Sequence, residues 1–190
     1  MRAPKRPGLR AGVLALVVGL GLAAAGVALA EQADHDLPIH FDAGQLKIDG
    51  KRKTQWLSGG VEITRGTLVL KAAQVELRET PTGQMALAQG SATQLATFRQ
   101  KRDGVDEVIE GQSQRIDYDG DKQTVLFSQQ AQVRVYRAGV LADQINGQSI
   151  LYDHVRDAFD VQGGGTEGGS SGRVRGVVSP RAASAAGATR

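Results

Sequence analysis

Three histidines, one acidic run and one basic triplet are the places in this 190-residue chain where side-chain types stand close enough to suggest chemistry. His154 sits at a turn between Asp153 and Asp157, and an imidazole beside two carboxylates is the beginning of a metal site or a hydrolytic one. It goes no further, because His35 and His40 are far upstream, no second histidine stands at ligand spacing, and the chain has no cysteine. Asp117-Tyr118-Asp119-Gly120-Asp121 has the look of an opening calcium loop. The twelfth position of such a loop needs a bidentate acid, Ser128 occupies it, and a tight turn is the expectation instead. Lys51-Arg52-Lys53 follows the turn dipeptide Asp49-Gly50 and reads as a solvated loop or, more sharply, as a contact for an anionic headgroup. No serine lies in a Gly-x-Ser-x-Gly elbow, and no glycine-rich phosphate cradle is present. The expectation is a protein that is not an enzyme and carries neither metal nor cofactor.

Targeting explains most of the charge. Arg2, Lys5, Arg6 and Arg10 precede an apolar run that ends in Ala28-Leu29-Ala30, the layout of a secretory signal peptide cleaved after Ala30. The competing reading retains Ala11 to Ala30 as a membrane anchor, since ~20 uncharged residues are enough to span a bilayer. The whole chain has 23 Lys and Arg against 20 Asp and Glu; residues 1–30 hold four of the basic groups and no acid, leaving 19 against 20. A near-neutral mature chain argues against a nucleic-acid partner. Without cysteine, stability must come from hydrogen-bonded strands around a shared apolar interior.

What is abundant is apolar residues at period two. Val61 and Ile63 alternate with Glu62 and Thr64, Arg65-Gly66 turns the chain, and Leu68 and Leu70 resume the alternation, the pattern of a sheet with one buried face. Ile39 and Phe41 form a first strand that opens at Pro38, with His40 pointing outward, and Leu46 and Ile48 form a second. Val108 to Ser113 and Ile116 to Asp119 follow as strands, and Val125 with Phe127 then Val133 with Val135 read as another hairpin. Gly163 to Gly172 is a loop, Arg173 to Pro180 a last strand, residues 31–37 a flexible lead and 181–190 a disordered tail. Two echoes stand out: Glu110-Gly111-Gln112-Ser113 returns as Asn146-Gly147-Gln148-Ser149, and Ser58-Gly59-Gly60-Val61-Glu62-Ile63 as Ser128-Gln129-Gln130-Ala131-Gln132-Val133. They suggest stacked supersecondary units repeating every ~30–40 residues. Many short strands with glycine turns indicate an all-β roll or sandwich. Its interior would be lined by Ile39, Phe41, Ile48, Val61, Ile63, Leu68, Leu70, Phe98, Ile116, Tyr118, Phe127 and Val133. The residues alone leave open whether that interior is filled or a groove.

An ordered set of short motifs carries a resemblance: Pro38-Ile39-His40-Phe41, Leu57-Ser58-Gly59-Gly60-Val61, Gly66-Thr67-Leu68 with Ala72-Ala73-Gln74-Val75, Ala96-Thr97-Phe98, Glu110-Gly111 with Tyr118, and Arg173-Val174 to Pro180. The chain resembles the OstA-like family of periplasmic lipopolysaccharide-transport proteins from Pro38 to Pro180. It departs from the family at Gln129-Gln130, where a glycine-containing turn is usual, in a longer stretch from Gln130 to Gly139, and in the extended 163–172 loop. The resemblance implies an open, twisted β-jellyroll over 38–180 whose apolar residues hold the acyl chains of lipid A. It also implies that the edges at Ile39, His40 and Phe41 and at Val174, Val177 and Val178 join subunits end to end. The implied partners are lipopolysaccharide, an inner-membrane-anchored LptC-like protein and an outer-membrane LptD-like translocon, with the protein bridging the two membranes across the periplasm. The readings set beside it are a membrane-anchored relative of the same fold and a small periplasmic hydrolase using His154.

Overall fold

Period-two alternation produces strands throughout the computed structural model, which describes residues 34, 37–102, 104–164 and 172–180. These belong to the unit Glu31–Arg190. The predicted signal peptide, His35, most of the lead and of the 163–172 loop, and the 181–190 tail lie outside the described residues. Twelve strands run in order: β1 (His40–Asp42), β2 (Gln45–Asp49), β3 (Thr54–Arg65), β4 (Leu68–Glu79), β5 (Gln84–Gln89), β6 (Ala96–Lys101), β7 (Glu107–Ser113), β8 (Arg115–Asp119), β9 (Thr124–Arg137), β10 (Val140–Asp153), β11 (Ala158–Gln162) and β12 (Arg175–Val178). Every pairing is antiparallel, and the fold is the all-β open jellyroll that the alternation and the resemblance predict.

Two long hairpins, β3–β4 and β9–β10, set the architecture, and each is bent in the middle. Gly59 and Gly60 take φ of +84° and +81°, and Gln129 and Gln130 take +64° and +60°. At both bends one strand carries an extra residue: Ser58 and Val61 face Gln74 and Ala72, and Ser128 and Ala131 face Ser149 and Gly147. The Ser58 and Ser128 echo is therefore a shared structural device. The stretch from Val125 to Val135, expected to be a hairpin, is one continuous strand with this bend inside it. The glutamines adopt the left-handed conformation that glycine signals in β3, and their residue type gives no sign of it.

Each half of a bent hairpin finds different neighbours. In one half-sheet the order is β2, β3, β4, β5, β8, β9, β10, β11; in the other it is β1, β3, β4, β6, β7, β9, β10, β12. The inner faces of the two half-sheets form one core. They meet at Phe98 of β6 and Phe127 of β9, whose rings stand edge to face at 5.8 Å. Gly111 of β7 makes room, because a Cβ there would lie 2.2 Å from the Phe127 ring. The repeat period is also corrected. β3 opens at Thr54 and β9 at Thr124, 70 residues on, twice the predicted spacing. The echo between Gly111 and Gly147 joins unlike positions, a mid-strand site facing Val133 and a bend facing Ala131.

Candidate functional site

Cross-strand register converts the scattered apolar residues into continuous rows. On the inner face of the first half-sheet, Leu46, Leu57, Val75, Ala88, Ile116, Phe127, Ile150 and Val161 stand directly opposite one another, strand after strand. On the second, Phe41, Ile63, Leu70, Phe98, Gly111, Val133, Ile145 and Gly176 do the same. Both rows cross the whole sheet from the leading edge, β1 and β2, to the trailing edge, β11 and β12. The opposite faces carry exposed ion pairs such as Glu62 with Lys71 and Arg99 with Glu110, which keep the same strands soluble.

The predicted lining residues divide between these positions. Val61, Ile63, Leu68, Leu70, Phe98, Ile116, Phe127 and Val133 are buried, and Ile39 and Tyr118 pack against that core. Phe41 and Ile48 are not interior: they are 45% and 62% exposed, because each ends an inner row on an edge strand that has a neighbour on one side alone. Leu46 stands beside them, 43% exposed. At the trailing edge Val174, Val177 and Val178 are exposed, the last two at 70% and 73%, and so is His40 on β1. Among the described residues no strand pairs the outer sides of β1, β2, β11 or β12.

Among the described residues the interior beside β1 is closely packed. A cavity of about 30 Å³, lined by Ile39, Ile63, Leu68, Leu70, Phe98 and Tyr118 among others, is room for about one water. It adjoins an opening of about 200 Å³ lined by Ile39, Phe41, Lys53, Gln55, Leu77, Glu79 and Gln84. Ile39, Leu77 and Gln84 border both spaces, so the apolar interior meets solvent beneath the short strand β1. The Gln84 Oε1 is buried there without a hydrogen-bond partner among the described residues. Burial pushes the Tyr118 phenol above its ordinary pKa, and Arg65, hydrogen-bonded to it, pulls partly back.

The residues first suspected of chemistry are occupied elsewhere. The Asp153 carboxylate accepts from the Arg156 backbone and guanidinium, which hold it below its usual pKa, and Asp157 pairs with Arg102. His154 Nδ1 lies 3.4 Å from the Tyr152 hydroxyl. Asp117 pairs with Arg115, Asp119 with Lys122 and Asp121 with Thr80, so the acidic run, expected to be a tight turn, is the end of β8 and the turn that follows it. The basic triplet lies on the β2–β3 turn, where the Asp49 carboxylate accepts from the Lys51 and Arg52 amides. Lys53 alone of the three lines the opening.

Two supports had no local signal in the sequence. Asp34 accepts from the Thr67 amide and hydroxyl, tying the lead to the β3–β4 turn. Arg137 bridges Glu107 and Asp143, while Glu107 also holds Arg102. Asp143 in turn accepts from the Ser179 amide at 2.8 Å, pinning the end of β12. Asp34 and Thr67, Glu107 and Arg137, and Asp143 and Ser179 stand 30 or more residues apart, and the fold brings them together.

With this geometry in view, the comparisons are specific. The model of the family described as LptA/(LptD N-terminal domain) LPS transport protein matches residues 40–158. The lipopolysaccharide export system protein LptA of Escherichia coli K12 is 27% identical over 151 residues, covering 79% of this chain and 80% of that protein. LptA of Shigella flexneri matches to the same extent. LptH of Pseudomonas aeruginosa, described as the LptA-homologous periplasmic component of the lipopolysaccharide transport device, superposes with a TM-score of 0.65 at 24% identity, over 78% of this chain and 99% of that one. The rows, the bent hairpins and the match over most of the jellyroll lead to one assignment: the chain belongs to the LptA/LptD N-terminal-domain family of lipopolysaccharide transport proteins.

Proposed function

We propose that this protein binds lipopolysaccharide in the periplasm and carries it from the inner to the outer membrane, with lipid A acyl chains between the two inner faces. The observation that carries the reading is the pair of apolar rows that run without a break from the leading edge to the trailing edge. A transporter that bridges two membranes needs a path that continues past each end of the subunit, and rows that reach the edges supply one. Acyl chains enter by parting the half-sheets, since the cavity between Ile39, Leu70, Phe98 and Tyr118 holds little more than one water. Each CH₂ removed from water contributes ~0.8 kcal/mol, so a dodecyl chain brings about 10 kcal/mol to separate the faces.

The opening beneath β1 is the natural point of entry, because β1 has three residues and pairs on one side alone. The unpaired edges serve assembly by β-augmentation, end to end with further copies, with an inner-membrane-anchored LptC-like protein on one side and an outer-membrane LptD-like translocon on the other. A photo-crosslinking residue introduced in living cells at Phe98 or Tyr118 is expected to capture lipopolysaccharide, and one at Trp56, on the opposite face of β3, is not. Equal capture from both faces, or none from several inward positions, refutes the reading.

A further inference from the structure

The chain folds as two repeats with the same strand pairing, and its own internal joint is a template for a second one. β1 and β7 each pair the second half of a long bent strand, and β2 and β8 pair its first half. β3–β4 and β9–β10 are the long hairpins; β5 and β11 pair the later half of the returning strand, β6 and β12 its earlier half. The repeats, β1 to β6 and β7 to β12, are joined by β5 on β8 and β6 on β7. In other words, the trailing edge of one repeat grips the leading edge of the next. Among the described residues the leading edge of the first repeat, β1 and β2, and the trailing edge of the second, β11 and β12, have no strand on their outer sides.

Resting on the end-to-end assembly proposed above, we infer that a second copy docks its β1 and β2 onto β12 and β11 in the register of the internal joint. The equivalences follow from partners on the long strands. Phe98 faces Leu70 as Gly176 faces Ile145, and Phe41 faces Ile63 as Gly111 faces Val133. Phe98 opposite Gly111 inside the chain therefore becomes Gly176 opposite Phe41 between copies. Leu46 and Ile48 correspond to Ile116 and Tyr118, and Val161 and Phe159 to Ala88 and Ala86. The internal pairs Ala88 with Ile116 and Ala86 with Tyr118 then predict Val161 with Leu46 and Phe159 with Ile48.

Three features fit this register. Size is complementary in the reverse sense: the aromatic ring comes from the trailing edge inside the chain and from the leading edge between copies, each time against a glycine. The row ends left uncovered, Phe41, Leu46 and Ile48, all gain a partner. On the outer face the same register sets Arg175 opposite Asp42 and Asp160 opposite Lys47, two opposite-charge pairs that a slip of two residues in either direction would lose.

The absence of cysteine makes disulfide trapping direct. The register sets His40 opposite Val177, within disulfide reach for an antiparallel pair. Mixing a His40→Cys chain with a Val177→Cys chain under mild oxidation is expected to give a cross-linked heterodimer, whereas His40→Cys with Arg175→Cys, two residues out of register, gives at least five-fold less. Asp160→Lys is expected to weaken self-association at least five-fold by light scattering, and adding Lys47→Asp to the same chain to restore it. Far-UV circular dichroism verifies the fold of each variant, all of them at exposed positions. Association with equal trapping in both registers, or with no response to the charge exchange, overturns the register and leaves end-to-end assembly intact. A wild-type chain that neither associates nor traps at any concentration overturns both.

Discussion

Replacing Gln129 and Gln130 together by glycine is expected to stabilise the protein, against the usual cost of glycine inside a strand. Both glutamines are solvent-exposed with φ of +64° and +60°, and their counterparts in the first repeat are Gly59 and Gly60 at +84° and +81°. An L-residue in the left-handed region costs ~1–2 kcal/mol, and each glycine gives back ~0.5–1 kcal/mol through the freedom it gains in the unfolded chain. The balance is a gain of about 1–2 kcal/mol for the pair, or ~2–8 °C in Tm for a domain of this size. Gly60→Ala is the reciprocal test. Nothing lies within 4 Å of the added Cβ, so its expected cost of ~1 kcal/mol is conformational alone. Gly59→Ala should cost more, since its Cβ would stand 3.2 Å from the Gly44 Cα. Urea denaturation gives the midpoints, and an unchanged m-value shows that the surface exposed on unfolding is the same in each variant. A glycine pair that destabilises by more than ~1 kcal/mol would refute the account, because the glutamine side chains would then be holding the bend and not straining it.

Gly111→Val places a side chain into the Phe127 ring and should destabilise by ~1–3 kcal/mol, measured the same way, with partial rescue by Phe127→Leu. Arg137→Ala leaves the Glu107 and Asp143 carboxylates without their bridge; a loss of ~3 kcal/mol is expected, with faster amide exchange concentrated in β12. The hydrogen bond from Lys122 holds the Asp119 carboxyl below its ordinary pKa, so its stabilising effect is full above pH ~4 and fades as pH falls through the lower folded value. Asp119→Asn should therefore lower the neutral plateau by that contribution and flatten that part of the acid limb in a stability-versus-pH curve, the two proteins converging at low pH. N-terminal sequencing of the protein recovered from the periplasm should begin at Glu31, and an intact Met1 would favour the anchored form.

Alternation was legible wherever one face is buried and the other charged. Val61 and Ile63 in β3 and Leu68 and Leu70 in β4 take the burial their spacing predicts, because a period of two admits no other assignment once one face is inside. In β5 the same reasoning would point to Met85 and Leu87, yet Ala86 and Ala88 face inward and Met85 is exposed. Alanine is small enough to sit under Tyr118 and Ile116 of β8, and hydrophobicity ranks do not see what stands across the ladder. Register was the missing quantity throughout. It joins Arg137 to Glu107 and Asp143, it makes Gln129 the equivalent of Gly59, and it turns a predicted hairpin into one bent strand. It also decides the edge residues. Phe41 and Ile48 have the composition of a core and the pairing of an inner row, and they are exposed because their row continues outside the chain or not at all. For an isolated domain such an edge invites aggregation. In the end-to-end assembly proposed above, the same exposed row receives the following repeat as the internal joint does, and the apolar path lengthens by one copy without any new kind of contact.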